Sequence, residues 1–198
     1  MAVEYGDVVY NPNSAVISGL QNDGTYSGYG TIDYMGDFNF ETESDEDEIM
    51  VAGVVVEQLT IPKRATGTIK DASLNWDALV LMGATQGAAI VAAGSTPNRS
   101  ERIDFVFGGE GLQYFGLVVR YEATNGANLL AGFPKCMLST IPPFTAAQNK
   151  FRTGEAGIKM VAPSQIIRKA IRMEKYETAQ AVPANAGAFD TFFAGMFD

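Results

Sequence analysis

The sequence predicts a mainly β domain, an antiparallel β-sandwich or barrel with one flanking α-helix at about residues 71–82. Three observations carry that prediction. Apolar runs of strand length, separated by Gly, Asn and Pro turn signals, recur along most of the chain. One stretch combines helical apolar spacing with signals for both helix ends. Helical and strand-like runs do not alternate as a parallel sheet requires. The 21 glycines among 198 residues are spread out, which favours many turns over long helices. With 46% hydrophobic and 19% charged residues the chain carries enough apolar surface to offset the entropy of ordering. Residues 1–182 are expected to form one domain, followed by a C-terminal docking segment over 183–198.

Taken in order, Val8-Val9-Tyr10 and Ala15-Val16-Ile17 are two short apolar groups divided by the turn signal Asn11-Pro12-Asn13. Turns at Asn22-Asp23-Gly24 and Gly28-Tyr29-Gly30 precede a strand over 31–40, whose alternation slips at Met35-Gly36, as a bulge at Gly36 would produce. Residues 49–59 are Val-rich and nearly continuous in hydrophobicity, as in a strand covered on both faces, and 60–70 alternate, with Pro62 marking an edge or bend. Between 31–40 and 49–59 lies Glu41-Thr-Glu-Ser-Asp-Glu-Asp-Glu48, six carboxylates in eight residues. That density of like charge predicts a solvated hairpin tip over 41–48.

Asp71 or Ser73 is suited to cap a helix of about three turns running to Met82, with Gly83 at its left-handed C-terminal position. Leu74, Ala78, Leu81 and Met82 form one stripe, and Trp76, Leu79 and Val80 cover most of the remainder, so the helix must be largely covered. Residues 87–99 read as loop or irregular strand. Residues 103–107 and 112–123 read as a hairpin around Gly108-Gly-Glu-Gly111, Thr124-Asn-Gly-Ala127 as a further turn, and 133–141 and 157–161 as strands separated by Pro142-Pro143. Residues 166–176 fit helix and strand alike, and strand is preferred. At the C-terminus Phe189, Phe192, Phe193, Met196 and Phe197 fall at i, i+3, i+4, i+7 and i+8, which predicts a short amphipathic helix that docks on protein, either its own domain or a neighbouring copy.

Charge and chemistry narrow the function. A net charge of −9, with 14 basic residues not gathered in one run, argues against a surface that grips nucleic acid, since phosphate affinity comes from Lys and Arg releasing counterions. The densest basic group, Arg168-Lys169 with Arg172 and Lys175, is flanked by Glu174 and Glu177. The single cysteine, Cys136, cannot form an internal disulfide and fits a reducing compartment such as cytosol. The N-terminus lacks the basic start and apolar core of a signal peptide. The weakly polar stretch 78–94 is interrupted by Gly83, Thr85, Gln86 and Gly87 and falls short of the roughly 20 apolar residues that cross a membrane.

With no histidine, the usual serine and cysteine dyads, the His-rich zinc sites and the commonest general base are missing. Carboxylate-only hydrolysis needs two acids in opposed environments, whereas the acids here cluster in one stretch. Gly108-Gly-Glu-Gly111 is followed by no Lys-Ser/Thr and opens no helix, so a hairpin turn is the better reading than a phosphate loop. Asp45-Glu-Asp-Glu48 lacks the glycine turn and terminal bidentate acid of a calcium loop. The expectation is a non-enzymatic protein without cofactor or metal.

The order of these features resembles the tail tube (major tail) proteins of long-tailed bacteriophages. The resemblance rests on an N-terminal strand region, a polar hairpin, then Glu57-Gln-Leu-Thr-Ile-Pro-Lys63 and Thr68-Ile-Lys-Asp-Ala-Ser-Leu-Asn-Trp-Asp-Ala-Leu-Val-Leu-Met-Gly83, in which a strand feeds a helix ending at a glycine. Phe107-Gly-Gly-Glu-Gly111 and Gly132-Phe-Pro-Lys-Cys-Met137 are similar in place and type, so the pattern spans about residues 7–161. The resemblance implies a virion structural protein assembled in host cytoplasm, in which six copies close into a ring and rings stack into a tube. Genome and tape-measure protein pass through such a tube, DNA without specific binding, and tail-terminator or baseplate proteins meet its ends. It also implies that the hairpin bridges neighbouring subunits or rings, which makes Glu43, Asp45, Glu46, Asp47 and Glu48, with the C-terminal stripe, the subunit-interface candidates. A secretion-system tube protein shares that fold, and a carbohydrate-binding β-sandwich module is the alternative of another class.

Overall fold

The computed structural model describes residues 10–51, 54–74, 76–91, 99–105, 113–123, 125–140, 144–147, 150–161, 171–178 and 180–197. Its strands are β1 (Tyr10–Leu20), β2 (Tyr26–Tyr34), β3 (Asp37–Val51), β4 (Val54–Leu74), β5 (Ala84–Val91), β6 (Arg99–Phe105), β7 (Phe115–Ala123), β8 (Asn128–Leu138), β9 (Phe144–Ala147), β10 (Lys150–Met160) and β11 (Arg172–Tyr176), with helices α1 (Trp76–Leu81) and α2 (Ala186–Phe192). The mainly β antiparallel class holds. Nine strands form one sheet in the order β11-β8-β7-β1-β2-β4-β10-β9, with β3 alongside β4, and β5 and β6 form a separate pair.

An extra ladder between β8 and β10, at Cys136 to Leu138, closes the path β8-β7-β1-β2-β4-β10 on itself. Of the two architectures open to the sequence, this closed circuit is the barrel. Alternation then divides the apolar residues. Ala15 and Ile17 of β1, Phe115, Leu117 and Val119 of β7, and Ala131 and Phe133 of β8 join Ile32, Phe38, Ile69 and Ile158 in the main core. Their in-between neighbours Val16, Val118 and Leu130 belong to a second buried cluster on the opposite face. These three strands are therefore covered on both sides, and the cover on the second side is the C-terminal segment.

Several expected boundaries move, each for a backbone reason. Asn11-Pro12-Asn13 is no turn: β1 runs through it, with Pro12 opposite Tyr121 and Asn13 passed over as a bulge before Ser14. Asp71 and Ser73 cap no helix, because β4 continues to Leu74, where Ser73 and Leu74 pair with Tyr34 and Ile32. A backbone already engaged in a ladder cannot start a helix, so α1 has six residues where about three turns were expected. The helix still ends at Gly83, with φ of 109°, as the sequence reading requires. It packs tightly on the barrel: a Cβ at Gly30 would lie 2.8 Å from the Ala78 backbone, so glycine lets α1 approach β2, and Ala78 and Met82 are fully buried there.

Residues 49–59 are not one strand, because β3 ends at Val51 and β4 begins at Val54 with those two residues paired. Residues 103–105, the described part of the expected strand 103–107, pair backwards, Ala84 opposite Phe105 in the β5–β6 hairpin, and not forwards with β7. The reason is that β7 has both edges occupied, by β1 and β8. Gly108-Gly-Glu-Gly111 and Pro142-Pro143 lie outside the described residues. The β7–β8 turn forms as expected, with Gly126 at φ of 84° and the Asn125 side chain accepting the Ala127 N–H at 3.0 Å. Strand is also the outcome for 172–176 of the ambiguous segment, whose described part begins at Ile171.

Candidate assembly surfaces

The acidic run does not sit at the tip. Residues 41–48 lie within β3, each paired with β4: Glu41 opposite Thr66, Glu43 opposite Arg64, Asp45 opposite Ile61, Glu46 opposite Thr60, Asp47 opposite Leu59 and Glu48 opposite Gln58. The reversal comes later, beyond Val51. An extended strand accommodates such a run where a compact turn would not, since successive strand positions alternate between faces. Lys63 is passed over in that register, which leaves the bulge beside Pro62.

β10 holds β4 only over residues 65–72, and β2 holds it at 73–74, so across residues 54–64 the partner of β4 is β3. The contacts of β3 are almost wholly with β4. The chain thus carries a two-stranded arm that continues about 35 Å past the barrel ladder, at ~3.3 Å per residue. Its long outer edges meet no further strand among the described residues.

The C-terminal stripe lies on the chain's own barrel. Phe189, Phe193 and Met196 are buried, and Phe192 and Phe197 pack against the same cluster as Val16, Tyr26, Val118 and Leu130. The helix covers only the first half of the stripe. Asn185 caps α2 by accepting the Ala188 N–H, and Gly195 at φ of 72° turns the chain so that Met196 and Phe197 reach the cluster without helical periodicity. Tyr26 is the hub: its ring centroid is 5.4 Å from that of Phe189, 5.5 Å from Phe193 and 5.9 Å from Phe197. Its hydroxyl donates to the Pro134 carbonyl at 2.6 Å, and burial first, with the nearby Cys136 and Asp190 adding, pushes its ionisation well above the ordinary range.

Polar latches hold the segment in register. Asp190 accepts the Tyr26 N–H at 2.9 Å, Asn128 donates to the Gln180 carbonyl at 3.3 Å, and Arg172 donates to the Phe192 and Ala194 carbonyls at the end of α2. A Cβ at Gly132 would lie 2.3 Å from Phe192 and 2.8 Å from Phe193, so the seat requires a glycine. Tyr26, Asn128 and Asp190 do not stand out in the sequence, and Arg172 and Gly132 do so only within a basic group and the family pattern. The part that Gly132 and Tyr26 play in the seat carries no signal until the strands are in register.

What remains open is modest. A shallow groove of about 490 Å³ runs between β11 and the C-terminal segment, with Leu130, Val182, Pro183 and Phe192 beside Arg172, Glu174 and Tyr176. The Glu174 carboxylate accepts the Tyr176 hydroxyl, which raises the tyrosine's ionisation. Among the described residues Tyr114 and Met173 are the large apolar side chains left exposed, and Lys135 lies 4.4 Å over the Tyr114 ring. No group of acids, Cys or His among the described residues is arranged to hold a metal ion. No helix among them is long and apolar enough to cross a membrane. The sequence matches no protein-family model and no curated protein.

Proposed function

We propose that this chain is a structural subunit that assembles with copies of itself into rings stacking as a tube, in the manner of the phage tail tube proteins its sequence resembles. The observation that supports this most is the β3–β4 arm. A monomeric β domain gains nothing from a long two-stranded extension with open edges, and such edges are normally blunted because they template pairing with another chain. An arm of this length has a use where it spans to a neighbouring copy. The charge agrees, since a surface at −9 lets DNA pass without holding it. On this reading the partners are further copies, a tape-measure protein inside and terminator or baseplate proteins at the ends, and the place of action is the virion tail.

Electron microscopy of the concentrated protein, with sedimentation velocity across a salt series, tests the reading. Rings or tubes are expected. A uniform small particle at every salt and concentration would overturn it and leave the carbohydrate-binding module as the better account.

A further inference from the structure

We propose that the open edge of β11 receives the acidic segment of β3 from a second copy of this chain, an assignment that rests on the tube reading and names the surface its arm meets. β11 is the last strand of its sheet: it pairs with β8 on one side, and its other side carries no strand among the described residues. Met173, 55% exposed, and Lys175 point outward from it. The acidic segment has the matching edge, a backbone whose ladder among the described residues is to β4 alone.

Charge selects β11 among the open strands. β9 carries no charged residue, and in β6 Arg99 and Arg102 are balanced by Glu101 and Asp104. In β11 Lys175 is the outward cation, while Arg172 is held by the Phe192 and Ala194 carbonyls of its own chain and the one acid, Glu174, is engaged by the Tyr176 hydroxyl. Arg168 and Lys169 precede it in the sequence. Six carboxylates over residues 41–48 complement that edge. Main-chain hydrogen bonds along an added strand supply affinity, and the charges set partner and register. The two patches differ, so the contact is heterologous and repeats head to tail, closing into a ring when the rotation permits.

The test uses three full-length variants, each checked for folding by circular dichroism and thermal melting. One carries Asp45→Lys, Glu46→Lys, Asp47→Lys and Glu48→Lys. One carries Met173→Glu and Lys175→Glu. The third carries all six changes. Sedimentation velocity at low salt should show self-association weakened at least about tenfold in each of the first two and recovered in the third. Rings that form equally well in the first two variants, or a folded third variant that stays dissociated, would overturn this assignment and leave the tube reading standing. Wild-type protein that never self-associates would remove both.

Discussion

The barrel under its C-terminal cover and the β3–β4 arm are made from the same kind of antiparallel ladder, yet they satisfy their strands in opposite ways. In the barrel β1, β7 and β8 have both edges paired and both faces buried, one by the closed core and one by Phe189, Phe193 and Met196. In the arm each strand has one partner and an outer edge that meets no other strand among the described residues. The barrel is complete within one chain, and the arm is not. Stability therefore resides in the first region, because burial of apolar surface dominates folding while solvated charges contribute little to it, and the proposed assembly falls to the second.

The largest effect should come from removing the cover. Truncation after Val182 exposes Val16, Val118 and Leu130 and deletes three fully buried side chains, each worth about 1.5 to 3 kcal/mol, so the cooperative urea transition should be lost or fall sharply. A truncated protein that melts like the full chain would show that the cover is dispensable. Next in size is Gly132→Ala, which drives a methyl into Phe192 and Phe193 and should destabilise by about 1 to 3 kcal/mol with loss of near-ultraviolet aromatic ellipticity. No change there would mean that the two rings shift freely and that the seat is loose.

A third comparison uses pH, since buried tyrosines lie in the barrel. Burial pushes Tyr26 far up and, with Asp37 adding, Tyr121 up to about 12. Both keep their proton in the folded state after the unfolded chain has lost it near pH 10, so their contribution is intact below about pH 10 and declines as pH rises toward 12. Denaturation midpoints should fall across that window, and Tyr121→Phe should flatten the fall. The smallest effect on folding belongs to the arm. Replacing Asp45, Glu46, Asp47 and Glu48 with Ser should leave the melting transition within about 0.5 kcal/mol per site while altering the salt dependence of association. A large loss of stability would mean that the arm, too, is part of the fold.

From the sequence by itself came the strand-rich class, the helix ending at Gly83, the Asn125-Gly126 turn and the apolar stripe from Phe189 to Phe197 as a segment needing cover. All of these rest on local chemistry, namely turn geometry, the period of the apolar residues and the freedom of glycine. The bulge expected at Gly36, by contrast, is a break between β2 and β3, with the register shift earlier, between Ile32 and Tyr34. Tertiary structure decided what local signals leave equal. Pro12 stayed in β1, with Asn13 bulged out beside it, because β7 lay alongside to hold both flanks, and Ser73 stayed in β4 because β2 offered a ladder before a helix could start. The acidic run reads as a tip when repulsion alone is weighed, but strand pairing spreads its charges over two faces and moves the reversal beyond Val51. The cover's seat at Tyr26 and Gly132 was invisible for the same reason. Those residues are 106 positions apart in the chain, and only strand register brings both against Phe193.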